Sequence, residues 1–179
     1  MAKRYVKLLM VGSLLSLTAC AQQSEVRQMH NEVKTLNHEM TKLTEQTVKL
    51  TQQNALNKHS TSGVYLLPGA KTPARLNSQI GMLRMSLQDI AADGNGTRAN
   101  LKISGESNEP LPAFTATVEW GQIQGTTENF QEVNVQNTLV SAPASTLAPS
   151  DVLLPLSMPN ITPDQLGFVR IHDIQPLAQ

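Results

Sequence analysis

Residues 83–103, LRMSLQDIAADGNGTRANLKI, decide the fold, because their apolar and polar side chains alternate on both sides of a turn. Such alternation is typical of strands that bury one face. The two runs are separated by residues 93–96, DGNG, which contain the Asn-Gly dipeptide favoured in short hairpin turns. Ile90 breaks the alternation, which indicates a β-bulge near Asp89. The stretch therefore predicts an antiparallel hairpin.

Similar short runs lie on either side of this hairpin, separated by glycine, proline, asparagine and serine. With the hairpin they predict seven strands, near residues 63–67, 83–90, 98–103, 114–120, 133–139, 152–156 and 166–174. Pro155 lies inside one strand, which is expected at a sheet edge because proline has no N–H to donate. No long helical pattern alternates with the strands, so a parallel α/β fold is not expected. Residues 64–179 are expected to form an antiparallel immunoglobulin- or fibronectin-like β-sandwich, and the chain is mainly β.

The segment before the sandwich has a different spacing of apolar side chains. Residues 24–57 contain neither glycine nor proline, and apolar side chains recur at spacings of three and four. In heptad notation the a positions are Val26, Val33, Met40, Thr47 and Asn54, and the d positions are Met29, Leu36, Leu43, Leu50 and Asn57. This period keeps one apolar stripe facing a partner helix. Residues 20–57 are therefore expected to form a coiled-coil-like helical stalk, roughly 50 Å long. The expected homo-oligomer contacts are Val26, Met29, Val33, Leu36, Met40, Leu43 and Leu50.

The same pattern fits two other arrangements. One is an amphipathic helix that packs on its own sandwich, and the other is a frayed tether. Thr47 and Asn54 at a positions either fix the register of a coil or mark where it ends. Residues 58–63 are polar and are expected to form the joint to the sandwich.

The N-terminus has the pattern of a signal peptide. Lys3, Arg4 and Lys7 precede an apolar run over residues 8–17, which is about half the length that a membrane-crossing helix needs. The run ends in Leu17, Thr18, Ala19 and Cys20, and these four residues resemble the lipobox of bacterial lipoproteins. Residues 1–19 are expected to be cleaved. The resemblance implies S-diacylglyceryl and N-acyl groups, such as palmitate, on Cys20.

The small side chains at Thr18 and Ala19 allow a protease to close around the backbone beside the cut. The Cys20 thiol is the nucleophile that accepts the lipid. Several acyl chains together hold a protein stably, since each buried CH₂ contributes about 0.8 kcal/mol. Position 21 is alanine and not aspartate. By resemblance to enterobacterial lipoproteins, this favours the outer membrane, with the protein facing the periplasm.

Charge and cysteine content limit the binding partners and metal sites that are expected. The chain has 14 basic and 14 acidic residues, and removing residues 1–19 leaves 11 basic and 14 acidic ones, a net charge of −3. The excess acid falls in residues 58–179, so no electrostatic footprint for nucleic acid is expected. Cys20 is the only cysteine, which excludes an internal disulfide and zinc sites with several thiolates.

Catalytic, cofactor-binding and metal-ligating patterns are not found in the sequence. His30 and His38 are eight residues apart, twice the spacing that ligands on one helical face use. His172 precedes Asp173 in a strand, and strand neighbours point to opposite faces, so the two are not expected to interact. Three larger side chains are expected in the core, namely Met82, Met85 and Trp120.

Two resemblances accompany these observations. Residues 20–57, which include the run 33–37 (VKTLN), are similar to the heptad region of the murein lipoproteins. Those proteins are linked to peptidoglycan through a C-terminal lysine, and this chain ends in PLAQ, so that linkage is not implied. From lipobox to C-terminus the chain resembles the YajI-type family of small enterobacterial lipoproteins, which has no assigned activity.

The function expected from the sequence is that of a non-enzymatic, lipid-anchored envelope lipoprotein. Its sandwich would serve for contact with an envelope protein or for structural support. Two alternatives stay open at this point. One is an enzyme that acts on peptidoglycan or lipid through an unrecognised site, and the other is a structural spacer akin to the murein lipoproteins.

Overall fold

One long helix and eight strands make up the computed structural model, which describes residues 16–107, 109–126, 129–145 and 151–177, with side chains from residue 26 onward. Helix α1 spans Ser16–His59 and contains the predicted helical segment 20–57. The strands are β1 (Val64–Leu66), β2 (Ala74–Ser78), β3 (Gly81–Asp93), β4 (Gly96–Gly105), β5 (Phe114–Thr126), β6 (Asn129–Ala142), β7 (Asp151–Met158) and β8 (Phe168–Pro176). The basic residues Lys3, Arg4 and Lys7 lie outside the described part of the chain.

The strands form two four-stranded antiparallel sheets. The first sheet has the order β1-β8-β5-β6 and the second the order β2-β3-β4-β7. Their inner faces form one core, in which Phe114 and Ile171 of the first sheet and Leu83 and Leu101 of the second are completely buried. The predicted antiparallel β-sandwich is confirmed. It shares its layered architecture, though not its strand order, with immunoglobulin domains.

The predicted hairpin is the β3–β4 pair, which closes at Asp93 and Gly96. The two turn residues are therefore Gly94 and Asn95. Gly94 has the positive φ, +58°, which fits a turn with glycine at its first central position. The bulge is also confirmed, because the register shifts between Gln88 and Ala91.

The prediction of seven strands is wrong by one. Strand β2 was missed because it is short and polar: Ala74 is its only fully buried residue. Met82 is 40% exposed and does not belong to the core, whereas Met85 and Trp120 are buried as predicted. The reason is strand phase, since Leu83 and Met85 point inward and place Met82 on the other face.

Strand β6 departs from the predicted alternation of Val133, Val135 and Leu139. The β5–β6 register shifts between Trp120 and Gln122, opposite an extra residue in β6. Asn134, at this bulge, has a φ of +55°. The bulge reverses the phase of the strand, so Val135 is 42% and Leu139 70% exposed.

The C-terminal part of α1 belongs to the same compact unit as the sandwich. The chain divides into two units between Thr44 and Glu45. In the second unit, Leu56 is buried in a small cluster with Tyr65, Leu67 and Phe168. This cluster lies on the outer face of the first sheet, because Tyr65 and Phe168 alternate with the inward-facing residues of β1 and β8. Residues 45–59 thus pack on their own domain, which was one of the three arrangements open to the helix.

Two helical side chains cap the free edge of β1. Asn57 bonds both backbone groups of Tyr65: its Nδ2 donates to the carbonyl at 2.9 Å, and its Oδ1 accepts from the N–H at 2.6 Å. Gln53 accepts from the N–H of Leu67 at 2.9 Å. Residues four apart on a helix are separated by about 6.0 Å along the axis, close to the roughly 6.6 Å between alternate residues of a strand. The helix therefore replaces a neighbouring strand and protects the edge.

Replacing Asn57 by alanine is expected to lower the free energy of unfolding by about 1–3 kcal/mol, because it leaves buried backbone groups of Tyr65 without partners. Asn54 is exposed one turn earlier on the same helix and provides the control. Asn54→Ala is expected to change stability by less than about 0.5 kcal/mol. Urea unfolding measures both. Equal losses in the two variants would show that the Asn57 hydrogen bonds contribute nothing specific.

Candidate functional site

An apolar stripe runs along the N-terminal unit of α1. We define the seam as Val26, Met29, Val33, Leu36, Met40 and Leu43. Each of these side chains is 55–64% exposed. Their heptad spacing places them on one side of the helix. Leu50, which was predicted to extend this surface, is half-buried in the second unit. Large exposed apolar patches on soluble proteins commonly mark interaction sites, so the seam is a candidate interaction surface.

The lipobox residues Leu17, Thr18, Ala19 and Cys20 lie in the first turns of α1, upstream of the seam. Their side chains lie outside the described part of the structure, so lipidation of Cys20 stays a prediction. Within the described residues, no helix combines the length and hydropathy needed to cross a membrane.

A polar cluster on the outer face of the first sheet centres on Arg170 of β8. Its Nε donates to Glu119 Oε2 at 2.8 Å, and its Nη1 donates to the Tyr65 hydroxyl at 2.9 Å. Nη1 also lies 3.5 Å from Glu132 Oε1, and the Tyr65 hydroxyl donates a hydrogen bond to that carboxylate. The four side chains come from all four strands of the sheet. The sequence gave no sign of this cluster, because its contacts depend on β8 pairing with both β1 and β5.

Burial and the hydrogen bond to Glu132 raise the pKa of Tyr65 to about 12. Tyr65 is the only tyrosine in residues 20–179, so in a chain that begins at Cys20 the change in ultraviolet absorbance on tyrosine ionisation reports this group alone. We expect the folded protein to titrate near pH 12 and the urea-unfolded protein near pH 10. Because the folded-state pKa is raised, the stabilising contribution is complete below pH 10 and is lost between pH 10 and 12. Glu132→Gln is expected to lower the folded-state value. A folded protein that titrated near pH 10 would contradict this environment.

His172 and Asp173 do interact, contrary to the sequence prediction. The distance from His172 Nδ1 to Asp173 Oδ2 is 2.8 Å. Strand alternation fails here because Asp173 has a φ of +51°, which turns its side chain back toward its neighbour. His172 Nε2 lies 3.3 Å from Glu119 Oε1, without hydrogen-bond geometry. The imidazole thus lies between two carboxylates and extends the Arg170 cluster.

A groove of about 430 Å³ borders His172 and Asp173 and also contains Ser78. These three residue types suggest a hydrolase triad, but their geometry differs from one. Ser78 donates its hydroxyl to the carbonyl of Gly81 at 2.8 Å, and both ring nitrogens of His172 face carboxylates. Serine and histidine are therefore not arranged as nucleophile and base. Across the described residues, no group of three or more histidine, cysteine or acidic side chains is placed to hold a metal ion.

Comparison with known proteins assigns the chain to a family. Residues 20–179 match the family described as "Protein of unknown function (DUF3251)". The chain belongs to this family. It is 69% identical over 173 residues to the uncharacterized lipoprotein YajI of Escherichia coli K12, a match that covers 97% of both chains. By this similarity the chain is an uncharacterised lipoprotein of unknown role, and a lipoprotein is anchored to a membrane of the cell envelope. Nothing in these comparisons points to an enzymatic activity.

Two solved structures are similar to this DUF3251 chain. The solution NMR structure of Escherichia coli YajI is 70% identical, with a TM-score of 0.72, and the match covers 75% of this chain and 80% of the other. The trimeric lipoprotein SadB of Salmonella enterica is 15% identical, with a TM-score of 0.52, and the match covers 99% and 95% of the two chains. At that identity the likeness to SadB concerns the fold.

Proposed function

We propose that this DUF3251 lipoprotein is held on the periplasmic side of the outer membrane by acyl chains on Cys20, and that its seam joins copies of the chain into a small homo-oligomer. In this arrangement the lipid fixes the location, the paired helices form a coiled coil, and the sandwich is available for contact with other envelope proteins. The observation that carries the proposal is the exposure of all six seam residues at heptad spacing.

The position of the seam supports a role close to the membrane. It begins six residues after Cys20, so the anchored helices of neighbouring copies would start from the same surface. Attachment to a membrane confines the chains to two dimensions and raises their effective concentration, which favours association of short apolar seams. The seam ends at Leu43, just before the helix joins the sandwich unit at Glu45.

The number of copies follows from two considerations. Val26 and Val33 at a positions, with Leu36 and Leu43 at d, favour two strands. The Salmonella lipoprotein SadB, which shares the fold, is trimeric. We therefore expect two or three copies, and not a larger assembly.

Sedimentation of the full chain in non-ionic detergent tests the proposal. The wild-type protein is expected to have two or three times the mass of one chain. Leu36→Glu places a charge in the seam and is expected to give a monomer, because like charges at d positions face one another. His38→Glu places the same charge at an f position on the outside of the coil and is expected to leave the mass unchanged. A monomeric wild-type chain would contradict the proposal.

A further inference from the structure

A second groove lies on the outer face of the second sheet, where β3, β4 and the start of β7 meet the segment before β2. We call it the sheet groove; it has a volume of about 370 Å³. Its lining includes Lys71, Arg84, Lys102 and Asp151. Residues 58–179 contain seven basic and ten acidic side chains. Three of the seven basic groups therefore line this groove with one of the ten acids, so it is positive on an acidic domain.

One ion pair in the groove neutralises part of this positive charge. Lys102 Nζ lies 2.7 Å from Asp151 Oδ2, and Ser104 donates to Asp151 Oδ1 at 2.6 Å. These hydrogen bonds from Lys102 and Ser104 lower the pKa of Asp151, whose negative charge offsets one of the positive charges in the groove. The remaining charges in the groove are Arg84 and Lys71, which give it a net charge of about +2.

Arg84 occupies an unfavourable position for a merely structural residue. It lies directly opposite Arg75 in the β2–β3 ladder and opposite Ser104 in the β3–β4 ladder. Like charges directly opposite in a sheet are destabilising. Arg75 is compensated by Glu106, at 2.6 Å. Among the residues that the structure describes, Arg84 makes no ion pair or side-chain hydrogen bond, and it attracts Asp151 only at longer range. Its guanidinium retains its five donors for a ligand.

We propose that the sheet groove binds an oxyanion, a phosphate or carboxylate group on a polar ligand, with Arg84 as the main contact. A guanidinium fork matches both groups, since each offers two oxygens to parallel N–H donors. Lys71 supplies a second positive charge. The Ser86 hydroxyl and Gln88 amide, which also line the groove, suit the polar body that carries the anion. In the envelope such a group occurs on phospholipids and on acidic sugars.

NMR titration of the full chain in non-ionic detergent, at low ionic strength, tests the proposal. The probes are inorganic phosphate and N-acetylmuramic acid, with N-acetylglucosamine as the sugar without a carboxylate. We expect the anionic probes to shift the backbone amides of residues 84–88, 102–105 and 151, and the neutral sugar to leave them in place. Binding of phosphate alone assigns the site to a phosphate source, and binding of the acidic sugar alone assigns it to a glycan; both support an oxyanion site.

Single substitutions show which side chains of the sheet groove contact the anion. Arg84→Gln is expected to weaken binding about tenfold or more, the effect of losing a charge-assisted hydrogen bond. Arg98→Gln removes the same charge from an exposed position of β4 outside the groove and is expected to change the affinity less than about twofold. Lys71→Gln, in the segment before β2, is a second variant that leaves the sheet ladders untouched, and it is expected to weaken binding. Equal weakening by Arg84→Gln and Arg98→Gln, or shifts spread over the surface, would overturn the proposal.

Discussion

Truncating Phe168 to alanine is expected to lower the free energy of unfolding by about 3–5 kcal/mol, as is typical when a large core side chain is lost. Phe168 is completely buried, and its ring lies 5.6 Å from that of Tyr65. It belongs to the cluster that also buries Leu56 of the helix. Loss of the Phe168 ring is therefore expected to loosen the packing of the sheet and also to detach the helix from it. Urea unfolding followed by the fluorescence of Trp120, the only tryptophan, measures the change.

Phe130 provides the matched control for this prediction. It packs at the edge of the same cluster, where its ring meets that of Tyr65 edge-on with centroids 6.1 Å apart, and it is only partly buried. Phe130→Ala is expected to cost about 1–2 kcal/mol, in proportion to the smaller apolar area that it buries. If both substitutions cost the same, Phe168 is not the central contact between the helix and the sheet.

The second large effect concerns location. Replacing Cys20 by serine removes the thiol that would accept the lipid, and the protein is expected to be lost from the outer-membrane fraction. Several acyl chains together hold a protein stably on a membrane, and the serine variant would carry none of them. Membrane fractionation followed by immunoblotting measures the shift. Ala21→Ser keeps the cysteine and is expected to stay with the outer membrane.

Full recovery of the Cys20→Ser protein with outer membranes would contradict anchoring through this residue. Mass spectrometry of the wild-type protein gives an independent readout, because the N-terminal peptide is expected to carry the mass of its acyl chains.

The strands of the β-sandwich were predictable from sequence wherever apolar and polar side chains alternate clearly along the strand. Leu83 and Leu101 alternate with polar neighbours, and Pro155 marked an edge strand, which is confirmed by the position of β7 at the end of its sheet. Strand β2 was not predictable, because a short edge strand with one buried residue has no apolar pattern. The exposure of Leu139 was missed for another reason, since one bulge reverses the phase of every later residue.

The functional surfaces were predictable to different degrees. The seam follows from heptad spacing alone, because a helix fixes which side chains share a face. Packing of the helix on its own sandwich was one of three arrangements that the sequence left open. The contact itself was not predictable, because nothing in the d position of Asn57 indicates that its amide bonds the free edge of β1. The contact between His172 and Asp173 depends on one positive φ, which no residue pattern in the strand indicated. The charge of the sheet groove emerges only when β3, β4 and β7 are side by side.

The helix has two successive parts. From Val26 to Leu43 the side chains of the seam are exposed, and from Glu45 onward its buried side chains face the sandwich. The change coincides with the point at which polar residues replace apolar ones at heptad positions, beginning with Thr47. Such a division suits a protein whose N-terminal segment associates with copies while its C-terminal segment fixes the fold.

Disulfide cross-linking in living cells tests directly whether copies of the chain associate through the seam. Cys20 is the only native cysteine, so a cysteine introduced one at a time at Val33, Leu36 or Met40 reports its own contacts. Disulfides form in the oxidising periplasm when two Cα atoms lie within roughly 4.4–6.8 Å. We expect covalent dimers of this chain from these a and d positions and none from His38→Cys, at an f position. Equal cross-linking at all four positions, or none at any, would contradict it.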